Sequence, residues 1–461
     1  MRIEFVNHAS FLVESRGVRL LCDPWLEGTA FNDSWALLAK SRFEVADFAS
    51  VTHLWHSHEH PDHFSPRTLT AVPAPVRATI PFLYQETRDH KVAGFARKLG
   101  FPVQELASGR WHELAPGLRI QIGAWRNGDS WLCVDDGETT LLNLNDCAID
   151  TAEDVERIRS QLGGRPVDVL FTQFSLSAWE GNPEEAERRS AGARCMLERA
   201  ALQTQILAPR FVVPFASFVW FCHEENFYMN REMNRIDDVA RHLASATAAA
   251  PLVLYPGDAW EIGAPHDSQA AIQRYLADGE DIGQRELERA RRVTEAELVA
   301  ESRAFCGRLA NPFRLRLHLA ADSVRRRDGR SGLRRGWDAL RMLTLGHDDP
   351  VAIYVWDHRV AYQFSLLTGL TLAALAREAC AVEVGSESLH YAFQMLWGGA
   401  TLQINGRFRE IQPNARFAFL RPFWLAEGLN RGVSMSWRDL VHRRLRAPKP
   451  APEATPEAEA R

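Results

Sequence analysis

Paired cysteines are missing from this sequence. Its seven cysteines (Cys22, Cys133, Cys147, Cys195, Cys222, Cys306 and Cys380) are scattered and odd in number, with no C-x-x-C and no Cys-x-His. Such spacing cannot hold an iron–sulfur cluster, and it predicts reduced, mostly buried thiols. Long hydrophobic runs are missing too, since none approaches the roughly 20 apolar residues that span a bilayer. The opening M-R-I-E-F-V-N-H shows neither the apolar core nor the small-residue cleavage site of a signal peptide, so a cytoplasmic protein is expected. An excess of one charge is also lacking. The formal net charge of −5 gives no reason to expect nucleic acid or an anionic membrane as partner. What is present is a chain of 461 residues, 46% hydrophobic and 25% charged, long enough for two or three domains with real cores.

The first half alternates short apolar runs with turn signals. R-I-E-F-V, S-F-L-V-E and V-R-L-L-C-D-P predict strands joined by tight connections such as S-R-G. L-R-I-Q-I-G-A-W, S-W-L-C-V-D-D-G-E-T-T-L-L-N-L and V-D-V-L-F-T-Q-F predict more, with D-D-G-E as a hairpin turn. Helical signals run from Glu153 to Leu162 and from Pro183 to Thr204. This order is that of an α/β sandwich. From Gly263 the chain turns charged and helical, predicting an exposed helix with one packed stripe. R-R-R-D-G-R-S-G-L-R-R reads as a solvated basic loop. After it, A-I-Y-V-W and A-V-E-V predict strands, and a helix carries Leu389, Phe393 and Leu396 on one face. Around Asn405-Gly406 a strand–turn–strand is expected, with Arg407 pairing with an acid of the same segment. The expected organisation is 1–262, 263–345 as a helical linker region, 346–445 as a small α+β domain, and a disordered tail over 446–461.

The chemistry concentrates in L-W-H-S-H-E-H-P-D-H-F-S. A strand ending in a tight loop can aim His58 and His60 at one cation, while Asp62 and His63 turn toward a second position nearby. Imidazole and carboxylate suit zinc, iron or manganese. His53 and His56 are set apart from this group, as neighbours rather than ligands. Six tryptophans (Trp25, Trp35, Trp125, Trp131, Trp179 and Trp220) fall in segments near the motif; most are expected in the core, with one or two walling a pocket. Glu224 and Glu225 read as the exposed start of a helix.

The motif, together with N-H-A-S-F-L-V-E and L-L-C-D-P-W, resembles the metallo-β-lactamase superfamily, and within it the branch of ascorbate-6-phosphate lactonase-like hydrolases. The resemblance implies an αββα metallo-β-lactamase sandwich with the metal site at one edge of its sheets, here followed by the helical linker and the small C-terminal α+β domain. It implies His58 and His60 in a first metal site, Asp62 and His63 in a second, and Asp146 bridging or adjoining the metals. Asp23 would support the histidines from behind, and His8 would lie near the pocket. Two histidines usual in hydrolases of this fold are missing, and Asp129 and His223 are the residues that could replace them. Asp62 and Asp146 are the candidate catalytic groups.

D-P-W-L-E-G-T-A-F, G-D-S-W-L-C-V-D-D-G-E-T-T-L-L-N-L-N-D-C, L-F-T-Q-F-S-L-S-A-W, V-P-F-A-S-F and L-Y-P-G-D-A-W are similar, in the same order, to the metallo-β-lactamase-like part of the CMP-N-acetylneuraminate hydroxylase family. That resemblance implies an iron-dependent oxygenase, with one or two iron ions, acting on a small polar metabolite such as a nucleotide-sugar, amide or amine. The family's Rieske segment has no counterpart here, so a separate Rieske or ferredoxin electron donor is expected. The alternative is a zinc or manganese hydrolase of a phosphoester, lactone or amide, and the third reading is a non-catalytic accessory protein with a degenerate site. A small-molecule substrate is the expected partner, with no nucleic acid and no membrane; a homo-oligomer stays open.

Overall fold

The computed structural model describes residues 1–309 and 350–430 apart from Leu396, with Leu319, Trp337 and Leu340 as isolated positions. The basic stretch R-R-R-D-G-R-S-G-L-R-R, the expectation for Leu396 and the predicted tail lie outside the described residues.

Two seven-stranded sheets face each other. In spatial order the first is Ala259–Glu261, Arg2–Asn7, Ser10–Ser15, Val18–Cys22, His53–Trp55, Phe82–Gln85 and Val103–Leu106. The second is Ala250–Pro251, Phe211–Phe215, Val169–Gln173, Thr140–Asn143, Ser130–Asp135, Leu118–Ala124 and Trp111–Ala115. Strand alternation sorts the side chains of the first sheet. Phe11, Val13, Leu20, Cys22, Trp55 and Leu83 face the central core. Leu12, Leu21, Leu54, Phe82 and Tyr84 belong to an outer cluster that also takes Leu69, Val92 and Ala96 from the helices Pro66–Ala71 and Lys91–Leu99. On the second sheet, Val155, Ile158, Ala200, Leu207, Val239 and Leu243 of Ala152–Gln161, Ala186–Leu207 and Ile236–Ala246 extend the central core. This is an αββα sandwich, as the sequence implies.

A second core forms around a five-stranded sheet ordered Gly369–Ala373, Val360–Ser365, Val351–Val355, Val382–Val384 and Phe408–Glu410. The charged helical region after Gly263 is divided between the cores. Ser268–Asp281 buries Ala271, Ile272 and Tyr275 in the first core, and Glu295–Arg308 buries Leu298 and Phe305 in the second. The strand–turn–strand expected around Asn405 is a helix, Gly398–Asn405, followed by the strand Phe408–Glu410. Gly406 ends that helix in the left-handed region at φ 66°, where an L side chain is strained. An alternating T-L-Q-I pattern reads as strand until that C-terminal cap is recognised.

A small three-stranded sheet of Val219–Phe221, Trp35–Leu37 and Thr29–Ala30 adds Ala30, Trp35, Val219 and Phe221 to the second core. Its connection Phe31, Asn32, Asp33 runs at φ 54°, 60° and 54°, three successive non-glycine residues in the left-handed region. Each such residue costs about 1–2 kcal/mol, so the turn persists only where its surroundings hold it.

Candidate metal centre

The topology delivers the polar residues to one sheet edge. Val18–Cys22 and His53–Trp55 run parallel and end there, leading into Asp23 and into His56–His63. In the facing sheet Thr140–Asn143 ends on the same side and leads to Asn145 and Asp146, while its antiparallel neighbour begins there at Ser130, just after Asp129. Ligands gather at the carboxyl ends of parallel strands because the loops there are free to turn inward. His8 arrives on the turn between Arg2–Asn7 and Ser10–Ser15, beside a register shift between Phe5 and Asn7. Such a bulge re-aims the side chains next to it.

Three groups of donors result, each within 4.8 Å of one another: His58, His60 and Asp129; His58, His63 and Asp146; and His8, Asp62 and His63. His58 Nε2 lies 3.5 Å and His63 Nε2 3.6 Å from Asp146 Oδ2, which places that carboxylate between the outer two groups. His8 Nε2 is 3.2 Å from Asp62 Oδ2. The structure therefore brings His58, His60, Asp62, His63, Asp129 and Asp146 together, and it puts His8 among them as a donor rather than as a neighbour of the pocket.

His223 is not brought to this cluster. The strand before it, Val219–Phe221, pairs with Trp35–Leu37 in the small sheet, and the chain beyond leads to Glu225 and Glu288 instead. Burial, with Arg407 nearby, pushes the His223 imidazole down to about 3. Glu224 and Glu225 do not start an exposed helix. Glu225 is ion-paired with Arg407, and Glu224 accepts from the backbone of Ala290.

Behind the donors Asp23 is fully buried and saturated with hydrogen bonds. It accepts from the Ser57 amide at 2.8 Å, the Ser57 hydroxyl at 2.7 Å and Asn145 Nδ2 at 2.9 Å, and His63 Nδ1 lies 3.0 Å away. Burial alone would raise this carboxyl, but its contacts with His56 and His63 hold it well below the usual range. An anionic Asp23 holds a proton on His63 Nδ1 and points Nε2 toward the cluster. His56 donates its Nδ1 proton to the His63 carbonyl at 3.0 Å and stacks on Phe82, bracing the loop from outside the donor groups; half-buried His53 contacts its neighbour Thr52. Gln85 Nε2 ties Ser57 O to Gly128 O, joining the histidine loop to the turn that carries Asp129. Sequence spacing assigns no role to Asn145, Ser57 or Gln85; they act through hydrogen bonds between distant segments, which spacing does not reveal.

The electrostatics favour a cation. Burial opposes charge on His63, yet Asp62, Asp146 and Asp23 together push its imidazole up to about 10. Burial, joined by His63 and His60, takes His58 down to about 3. Asp62 and Asp146 are held below the ordinary carboxylate range by the imidazoles despite their burial. Asp62 Oδ1, Asp146 Oδ1 and His8 Nδ1 are buried without a hydrogen-bond partner. Buried carboxylate oxygens left without donors are costly in an apolar interior, and a metal ion removes that cost. The donor set is nitrogen and oxygen only. Cys147, beside Asp146, is buried and its thiol is pushed up, so it stays protonated. These residues fit one or two hard or borderline cations.

Two aromatic rings close the site. Trp25 stands edge-on to His8 at 5.9 Å, and Phe31 edge-on to His60 at 5.8 Å. Beside Glu59 and Gly128 opens a cavity of ≈ 420 Å³, with Tyr84, Trp125 and Asp89 in its wall. Trp131 and Trp179 are core residues, the latter stacked on Phe408.

Residues 2–175 match the family described as the Beta-lactamase superfamily domain. A Rieske 2Fe-2S iron-sulfur protein of Mycolicibacterium smegmatis is 30% identical over 197 residues, 39% of this chain and 35% of that protein. The cytidine monophosphate-N-acetylneuraminic acid hydroxylase of Danio rerio is 25% identical over 256 residues, 49% of this chain and 40% of that protein. A protein described as a metal-dependent hydrolase, from Pyrobaculum calidifontis, is 27% identical over 265 residues, 56% of this chain and 98% of that protein. The chain thus spans between 35% and 50% of the length of its Rieske-named and hydroxylase relatives.

Proposed function

We propose that this chain, whose residues 2–175 match the Beta-lactamase superfamily domain, is a metal-dependent enzyme that carries out an iron-dependent oxidation of a small polar metabolite. The observation that carries this reading is the carboxylate count at the site. Asp129 joins His58 and His60, so the seven donors include Asp62, Asp129 and Asp146. Each carboxylate adds negative charge and hard oxygen character, which favours iron in its higher oxidation states, as in other mixed histidine–carboxylate sites. The same charge weakens the Lewis acidity a hydrolytic zinc ion needs to lower the pKa of its water. The hydroxylase and Rieske-named relatives support the reading.

His58, His60 and Asp129 would hold one ion, His8, Asp62 and His63 the second, with Asp146 between them. Bound iron would supply the activation of dioxygen, which no side chain here can perform. The chain's own residues do the rest. Asp23 and Ser57 fix the orientation of His63 and His58. Trp25 and Phe31 keep water from the outer faces of His8 and His60. A small polar substrate would sit in the cavity beside Glu59 and Gly128, the sequence neighbours of His58, His60 and Asp129. Electrons would come from a Rieske or ferredoxin donor outside these 461 residues.

The second reading is a zinc or manganese hydrolase, with Asp146 as base. It draws on the relative from Pyrobaculum calidifontis, which the match covers almost end to end. Purification without oxygen or added metal separates the two. Near-stoichiometric iron whose optical spectrum changes on admission of air is the result expected. Two zinc ions and no response to oxygen would overturn the oxidative reading.

A further inference from the structure

Trp25 and Phe31, the two rings against His8 and His60, are members of the second hydrophobic core, which the C-terminal sheet and helices dominate. Phe31 opens the left-handed turn 31–33, and the carbonyls of that turn are gripped from several sides. Arg407 Nη1 donates to Asn32 O at 2.8 Å, the Ser34 hydroxyl donates to the same oxygen at 2.9 Å, and Asn405 Nδ2 reaches Phe31 O at 3.4 Å. Arg407 is 1% exposed. Its remaining donors are committed, Nε to Glu225 at 2.7 Å and Nη2 to Glu387 at 2.8 Å. Glu225 in turn accepts from Trp356 Nε1, and Glu387 from Arg291. One planar guanidinium thus joins the C-terminal segment, Glu225 and the strained turn beside the metal centre.

We infer that Arg407 is a positioning residue for the candidate metal centre: it locks the 31–33 turn so that Phe31 holds His60 in its ligating orientation. The inference rests on the reading of His60 as a ligand. It gives the C-terminal region a task, to wall and align a site built entirely by the first core. An ammonium at position 407 would keep the positive charge between Glu225 and Glu387 but could not reproduce the fork that also reaches Asn32.

The test titrates full-length, metal-free protein with cobalt(II) under nitrogen, following the visible ligand-field bands and checking folding by circular dichroism and thermal unfolding. Wild type is compared with Arg407→Lys, Phe31→Leu, His60→Ala and Asn182→Ala. Asn182 serves as control because it pairs with the Glu410 backbone at 2.8 and 2.9 Å across the same junction without touching the turn. Arg407→Lys and Phe31→Leu should each weaken one of two cobalt ions about tenfold and change its band shape, leaving the other ion unaltered. Asn182→Ala should lower only the melting temperature. If Arg407→Lys melts earlier but binds both ions with wild-type affinity and bands, Arg407 is a junction residue only and the inference falls. Should Arg407→Lys fail to fold, Phe31→Leu decides, and wild-type binding in that variant overturns the inference. His60→Ala separates the two claims. If it keeps both ions, the ligand assignment fails and the inference with it; if it loses one while the other two variants bind normally, the inference alone fails.

Discussion

His8 is where spacing and structure diverge most usefully. The motif from His58 to His63 could be read directly, because ligands one or two residues apart on a single loop declare themselves in the sequence. His8 sits on a different hairpin, and nothing in N-H-A-S-F reveals that a bulge aims it at Asp62. If it is a ligand, His8→Ala should reduce metal content by about one ion per chain while the His58, His60 and Asp129 group keeps its own; quantitative metal analysis checks this. His223→Ala, in contrast, should leave metal content unchanged, since the structure seats it beside Glu225. His60→Ala should abolish tight binding at the first position, and Asp146→Ala should lower occupancy and activity together. Full activity in the Asp146 variant would remove that residue from the site.

At the scale of elements, strands are legible where apolar residues alternate, and so are the helices Ala152–Gln161 and Ala186–Leu207, whereas Ile236–Ala246 and Arg416–Asn430 are not. The failures have physical causes. The segment before Asn405 reads as strand because its apolar spacing over four residues fits either period; the Gly406 cap and the packing of Leu402 in the second core decide for helix. Val219–Phe221 pairs with Trp35–Leu37 in the small sheet rather than with either large one, and no local pattern foretells that, since register across a sheet is a long-range property. Gly123 offers a test of the sandwich itself. A Cβ there would lie 1.8 Å from the Trp131 ring, so the strand must leave that space empty. Gly123→Ala should destabilise the fold by about 1–3 kcal/mol or more, as overpacking a tight core does, measured by urea unfolding.

For the molecule as a whole, metal and stability are linked. An ion that binds only the folded state adds roughly 4 kcal/mol when free metal exceeds its Kd a thousandfold. Adding a chelator should therefore lower the melting temperature of the transition that reports the first core, and returning metal should restore it. A transition that ignores the chelator would place the tight metal site elsewhere.

The bond from Arg407 to Asn32 also has a history in time. It spans 375 residues of sequence. At ribosomal rates of about 5–20 residues per second, roughly 20–75 s separate the synthesis of its two ends. During that interval the nascent chain already displays most of its candidate ligands, but the turn that orders one of them has no latch. A metal captured early would meet a looser and less selective site than the finished protein offers. On the proposed reading, which ion is held at maturity would then depend partly on when the last strands arrive.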